Sequence, residues 1–491
     1  MTGSMLPLFV AAPLAAAGVT AFARSGRRWP LAVLVVMLGL QLVGTGLLIA
    51  EVIDGRVLAD SVGGWLPGVA IAFAADVLTA LLLGFTGFLT LVCCWYAMAA
   101  TLGRQRLFAP LVLAMTAGVN GALLTADIFN MFVFIEVMLM PAYGLLVLAR
   151  RGEGTLRSVS GTRMYVTFNL LVSTLFLVGV VLVYATAGTV NLGLLAGAAQ
   201  DSGLVAAAAG LALGALAMKA ALFPAYGWLV RGYPATSPAV TALFSGLHTK
   251  VAMYAIYRIY AVVFDGDDRW LLVALVLVGV TIMVGALATA GEQSIRTMLS
   301  YSMVSHLGFI GVGVALFTPA GLAAGLFYLL HHMVVKAAQF LSAAAVEDAY
   351  GSDRLEDLRG IGRREPLVAA SFGIAALSLA GFPPFSGFVA KVSLVIASVD
   401  AGEYLLTAVM IVASLVTMQA MLRIWNQVFA SPIGDGESAD RRIGWNLAAP
   451  GALLAAVTVV LGFGAQPLLA LTDVAAAGLL DTSTYVAEVL R

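Results

Sequence analysis

Residues Ala217–Ile259, AMKAALFPAYGWLVRGYPATSPAVTALFSGLHTKVAMYAIYRI, decide how the whole chain reads. An apolar run holds Lys219 and is interrupted at Pro224. The chain then turns through Pro234 and Pro238, and a second apolar run encloses Lys250. An ionisable side chain inside hydrocarbon is costly, so by default it marks a functional site. A Pro-interrupted apolar segment is also a sequence pointer to a transporter's ion path. Here the two signals coincide.

Outward from that stretch, composition agrees. Of 491 residues, 61% are hydrophobic and 11% charged, against roughly 25% charged in an ordinary soluble domain. The chain therefore reads as an all-α polytopic membrane protein. The first apolar run, 6–22, lacks a basic leader region and reads as a first span. Net charge is zero with no basic or acidic block, so no nucleic-acid partner is expected. The two cysteines, Cys93 and Cys94, are too few to hold an iron–sulfur cluster. They read as packing residues, with a strained vicinal disulfide as the alternative.

Only four lysines occur, Lys219, Lys250, Lys336 and Lys391, and all fall inside predicted spans. So do all four histidines, His248, His306, His331 and His332. Of 22 arginines, 21 fall in predicted loops or at span ends, and Arg258 reads as snorkelling from the end of its span. Lysine can lose its proton when desolvated, whereas arginine effectively cannot. The chain thus separates titrating charge from topological charge.

At about 20 apolar residues per span, fourteen spans are predicted: 5–23, 31–50, 76–98, 107–125, 128–149, 164–187, 205–230, 239–263, 270–290, 297–317, 319–345, 366–398, 404–426 and 445–470. The segment 51–75 alternates weakly and carries Gly63-Gly64, which suggests a small hairpin outside the membrane. Eighteen arginines fall on one side, among them Arg24, Arg27, Arg28, Arg104, Arg106, Arg157, Arg296 and Arg441. The other side receives Arg56, Arg269 and Arg491. That asymmetry places both termini outside a prokaryotic plasma membrane. The run Phe223–Val230, FPAYGWLV, resembles Phe382–Val389, FPPFSGFV, 159 residues on. An odd number of spans between the copies makes them run oppositely, as in inverted-repeat transporters. Pro224 and Pro383 each lack a backbone donor and should break their helices, spans seven and twelve. The freed carbonyls must then be met by water or polar side chains.

Glu136 lies about 8 residues into span five, roughly 12 Å deep at about 1.5 Å per residue. Its functional reading is a pair with Lys219, and its structural reading a pair with an arginine. His248 and Lys250, two residues apart, point to different faces, and Lys250 is the favoured carrier. His332 and Lys336, four apart, share a face and make a relay element. His331 points elsewhere. His306 reads either as a relay member or as a satisfied core histidine. Lys391, beyond the second break, reads either as a carrier or as an anchor near the outer end. Asp76 and Asp127 begin spans and read as helix caps, while Glu347 and Asp348 should meet loop arginines.

A haem protein would need axial histidines on facing helices, a nucleophilic enzyme a Ser–His or Cys–His pair, and a nucleotide-driven pump a phosphate loop. No motif here supports any of these. What remains is a series of titratable groups crossing a membrane, without a cofactor or metal site.

These same residues carry a family resemblance. Glu136 in FNMFVFIEVMLMPAYG is similar to the fifth-helix glutamate motif of the antiporter-like subunits shared by complex I and Mrp-type cation/proton antiporters. MKAALFPAYGWL, YPATSPAVTALFSGLHTKV, HHMVVKAAQFL and GFPPFSGFVAKVSLV resemble that family's seventh, eighth, eleventh and twelfth helices. The resemblance covers about 70–470. It implies fourteen helices with two inverted five-helix repeats, spans 4–8 (107–263) and 9–13 (264–430), flanked by 1–106 and 431–491. It also implies proton transfer through Glu136, Lys219, Lys250, Lys336 and Lys391, and obligate membrane partner subunits. The chain's length, HHMVVK and EVMLMPAYG are most similar to the D-type subunits of Mrp antiporters, exchanging H+ for a monovalent cation such as Na+, while Lys391 on helix twelve and the short tail set it apart from two complex I types. A lysine-type subunit of complex I or of a membrane-bound hydrogenase is the alternative.

Overall fold

The structure, a computed structural model, describes the chain except residues 25, 66–69, 149, 152–154, 157 and 433–441, and except the side chains of 101, 150, 151, 155 and 156. Arg157 and Arg441 of the arginine-rich side, and the tip of the 51–75 segment, therefore lie outside the described residues. Helices dominate. Four open the chain: α1 (Leu8–Ala21), α2 (Trp29–Val52), α3 (Val77–Ala99) and α4 (Phe108–Leu124). Between α2 and α3, β1 (Leu58–Ser61) pairs antiparallel with β2 (Ala72–Ala75), Leu58 opposite Ala75.

The middle follows as α5 (Ile128–Leu148), α6 (Val159–Ala187), α7 (Gly203–Lys219), the short α8 (Gly227–Gly232) and α9 (Pro238–Val263). Next come α10 (Leu271–Gly291), α11 (Ile295–Leu316), α12 (Pro319–Tyr350), α13 (Pro366–Ala380) and α14 (Ser386–Asp400). The chain closes with α15 (Tyr404–Ile424), α16 (Trp445–Phe463), α17 (Ala465–Leu480) and α18 (Ser483–Val489). Among the described residues, ten helices are long and apolar enough to cross a membrane, with four shorter apolar helices beside them.

Local chemistry sets the boundaries. Ser158, Ser202, Ser237, Ser294 and Thr318 each accept a backbone N–H at a helix start, and Pro238 and Pro319 occupy the first helical position. Asp76 and Asp127 do the same for α3 and α5, accepting from Thr79 and Asn130. At the other end, Gly351 and Gly381 take left-handed conformations that close α12 and α13.

Burial ranks the helices. The most apolar 18-residue stretch of α12 is wholly buried, and α12 packs against α9, α11, α13, α14, α16 and α17. It is the central helix. By contrast α2 and α10, though more hydropathic, bury little of themselves, as expected of helices whose apolar faces meet lipid. Small residues let helices approach: Gly118 of α4 lies against the Met138 backbone of α5, and Gly313 of α11 against Gly325 of α12.

Three expectations need correction. The last span, read as 445–470, is two helices with a break at Gly464, and the second runs on to Leu480. Arg258 does not snorkel: it is fully buried, pairs with Asp76 at 2.6 Å, and lies 4.4 Å from the Tyr485 ring. The C-terminal helix α18 covers the span end from which it would have reached out. For Glu347, expected to meet a loop arginine, the partner is the helix residue Arg296. It is buried at the start of α11, donates to the Tyr233 and Thr236 carbonyls at 2.7 Å each, and pairs with Glu347 at 3.5 Å. Glu347 thus meets a helix arginine, and Asp348 accepts from Tyr96 at 2.7 Å. Cys93 and Cys94 are free and buried.

Candidate functional site

Both helix breaks form. The first falls between Lys219 and Gly227, where Ala221 takes φ 59° and the Phe223-Pro224 bond is cis. Its backbone groups are met by side chains: Phe223 N–H donates to Thr281 at 3.0 Å, and Trp228 Nε1 donates to the Met218 carbonyl at 3.1 Å. The second break, Gly381–Phe385, has its cis bond at Pro383-Pro384, one residue later in the aligned motif. Lys219 ends the helix before its break, whereas Lys391 lies in the helix after its own. The two lysines are therefore not equivalent positions of the motif.

Glu136 faces inward from α5 with its Oε1 buried and unbonded to the chain, and Tyr143, seven residues on, leaves its hydroxyl likewise. Seven residues are two helical turns, so both face the same way. Glu136 lies within electrostatic range of Lys219 but forms no ion pair with it. Lys219 Nζ donates instead to Ser173 of α6 at 3.2 Å. The expected pair is thus a field effect, not a contact: α6 inserts a hydroxyl as the lysine's direct partner.

His248 Nδ1 bonds the Tyr165 hydroxyl at 2.7 Å, and its ring lies 4.3 Å from Phe244. Lys250 turns the other way, donating to the Ser245 carbonyl of its own helix and to Thr249. The two do face differently, and His248 lies within electrostatic range of Lys219 and Lys250. Lys250 lies within electrostatic range of Lys336, His332 and His306, on α11 and α12.

Lys336 donates to Ser302 at 2.9 Å, Gln339 at 3.1 Å and the Leu299 carbonyl at 3.3 Å. His332, one turn before it, has both ring nitrogens buried and unbonded to the chain, 5.7 Å from the His306 ring. His306 Nδ1 meets the Tyr328 hydroxyl at 2.6 Å while its Nε2 makes no such bond. One nitrogen of His306 is thus satisfied, as in a core histidine, and the other is buried with no hydrogen-bond partner in the chain. His331 points away from that face and bonds Ser386, at the start of α14, at 2.8 Å. Lys391 is buried, donates to the Ala380 carbonyl at 3.3 Å, and lies 5.2 Å over the Phe309 ring. It caps the second break and does not reach the surface.

The buried titratable groups thus form one row through α5, α7, α9, α11, α12 and α14. Each lysine and histidine keeps a polar partner or a free ring nitrogen, and Glu136 an unbonded carboxylate oxygen, so a proton could be held at each and passed on. Sequence reading missed the partners Ser173, Tyr165, Tyr328, Ser302 and Ser386. Gln339 was legible, three residues after Lys336 on the same face. Ser386 stood in the FPPFSGFV motif. The others come from helices distant in sequence and left no local signal. Among the described residues, no group of three His, Cys, Asp or Glu side chains is arranged to hold a metal ion.

The chain matches the family model described as NADH:quinone oxidoreductase/Mrp antiporter, transmembrane, over residues 125–417. It is 34% identical to the D-type component of the Na(+)/H(+) antiporter of Alkalihalophilus pseudofirmus over 90% of each chain. A chain in the structure of the Mrp complex from Dietzia sp. superposes with TM-score 0.97 at 48% identity, over 100% of this chain and 99% of that one. A chain of the archaeal membrane-bound sulfane sulfur reductase superposes with TM-score 0.90 at 26% identity, over 99% of both. The chain therefore belongs to the NADH:quinone oxidoreductase/Mrp antiporter transmembrane family, on the branch of the D-type subunits of Mrp antiporters.

Proposed function

We propose that this chain is the proton-translocating subunit of a multisubunit Na+/H+ antiporter in a prokaryotic plasma membrane. The observation that carries the reading is the row of buried lysines and histidines running from beside Glu136 to Lys391, with a helix break next to each end. Protons load Lys219 under the field of Glu136, pass Lys250 and the His332/Lys336 face, and leave by Lys391, or travel the reverse route. His248, His306 and His331 lie alongside as relay members. Water bridges complete the gaps between them. Moving one charge through about 100 mV is worth about 2.3 kcal/mol, enough to drive counter-transport of a cation.

The same proposal includes fourteen membrane spans: the ten long apolar helices, α9, α4, and two broken units, α7 with α8 and α13 with α14. It includes two inverted repeats over 107–263 and 264–430, and both termini outside. The arginine asymmetry and the paired breaks support these. The partners are the other membrane subunits of the antiporter, as the relatives' names and the assembled structures suggest.

The test is Na+/H+ exchange in vesicles holding the complete assembly, with Lys219→Ala and Glu136→Ala. Assembled but inactive variants support the assignment; exchange at the unsubstituted rate in either would overturn it. The likeness to a respiratory membrane complex favours one second reading, a proton-pumping subunit that redox partners drive. Gentle purification separates the two. Small hydrophobic partners without redox centres fit the antiporter, and flavin- or iron–sulfur-bearing partners fit the pump.

A further inference from the structure

A polar cavity, of about 410 Å³, opens away from the lysine row, where the ends of α1 and α3 meet the starts of α2 and α4. Arg24, Arg27 and Arg28 line it from the α1–α2 turn, and Arg104 and Arg106 from the α3–α4 connection. Among the described residues no carboxylate lines it, and none of the five guanidinium groups makes an ion pair, in contrast to Arg258, Arg269, Arg296 and Arg354. The walls are fixed by the backbone. Gly26 takes φ 82° in the first turn, Arg106 donates to the Ala21 carbonyl at 3.1 Å, and a Cβ at Gly103 would clash with the Met98 backbone.

Five like charges gathered around one concavity repel each other, and topology alone would be served equally well by scattered arginines. The guanidinium fork matches phosphate oxygens bidentately. The setting identifies the source of the phosphate. The cavity sits at the ends of four apolar helices, its floor is apolar (Leu31, Met98, Ala109), and Phe22, Trp29 and Leu107 are exposed around it. An aromatic and aliphatic rim beside cations is the pattern of a membrane interface, and basic pockets between spanning helices suit anionic headgroups. We infer that this cavity binds a phosphate group, supplied by the headgroup of an anionic phospholipid whose chains lie along the exposed face of α2. The site stands independently of the transport reading.

The test is native mass spectrometry of the purified assembly, titrated separately with phosphatidylglycerol, phosphatidylcholine and inorganic phosphate. Phosphatidylglycerol should be retained preferentially. Arg27→Gln with Arg104→Gln should weaken it by about 25-fold, at about fivefold per guanidinium near a charged surface. A control pair elsewhere, Arg359→Gln with Arg363→Gln, should leave it unchanged. Because removing charge can disturb span orientation, Arg27→Lys with Arg104→Lys is the companion variant: it keeps charge, loses the fork, and should weaken retention partially. Equal retention of the two lipids overturns the lipid source. If inorganic phosphate then binds with the same arginine dependence, the site is one for free phosphate. Binding that ignores Arg27 and Arg104 overturns the site itself.

Discussion

Each buried lysine has a different immediate environment, and that difference is the most informative feature at the residue scale. Lys336 makes three bonds, to a hydroxyl, an amide and a carbonyl, while Lys219 has one hydroxyl and Lys391 one carbonyl. A charged donor with several good acceptors is held firmly, and one with a single acceptor moves more readily. Lys391→Arg keeps the charge but cannot readily release a proton, so vesicle exchange should fall to background although the assembly forms. Normal exchange would reduce Lys391 to a structural cap of the break. Ser173→Ala removes the one partner that Lys219 has among the described residues, without removing the lysine. Exchange should slow severalfold and not vanish, and the ratio of its rate to that of Lys219→Ala measures how much the hydroxyl contributes.

Between elements, two contacts hold the broken region in place. Arg296 ties the turn after the first break, through the Tyr233 and Thr236 carbonyls, to Glu347 of the central helix. Breaking a buried charge pair from one side costs roughly 3–5 kcal/mol. Arg296→Ala should therefore lower the thermal stability of the detergent-solubilised assembly well beyond what Arg359→Ala does. The α4–α5 seam is the second contact. A Cβ at Gly118 would come within 2.3 Å of the Met138 nitrogen, so Gly118→Leu must push apart the helix that carries Glu136. Overpacking of this kind costs about 1–3 kcal/mol. Exchange should fall with it, and a variant with full activity would mean the seam does not position Glu136.

For the whole molecule, a nearly fully buried axis (α9, α11, α12) carries the middle of the polar row, and helices such as α2 and α10 are lightly buried. That arrangement leaves an apolar perimeter for lipid and neighbouring subunits. The chain inserted alone into vesicles should show no Na+/H+ exchange, and adding the rest of the assembly should restore it. Exchange by the isolated chain would make the partners accessory.

Several features were determined by the sequence alone. Hydrophobic runs are local, so the membrane class and most helices could be read directly. Proline is local too, so both breaks were predicted within a few residues. A lysine in an apolar run is improbable without a task, so Lys219, Lys250, Lys336 and Lys391 stood out before any fold was known. What tertiary structure alone decided is which groups meet. Ser173 meets Lys219 because α6 packs on α7, and Tyr165 and Tyr328 anchor histidines from other turns and helices. Arg258 is sealed under Tyr485, which lies more than two hundred residues away in sequence. Burial and pairing depend on helices that are neighbours in space and not in the chain, and no single-sequence pattern records that adjacency.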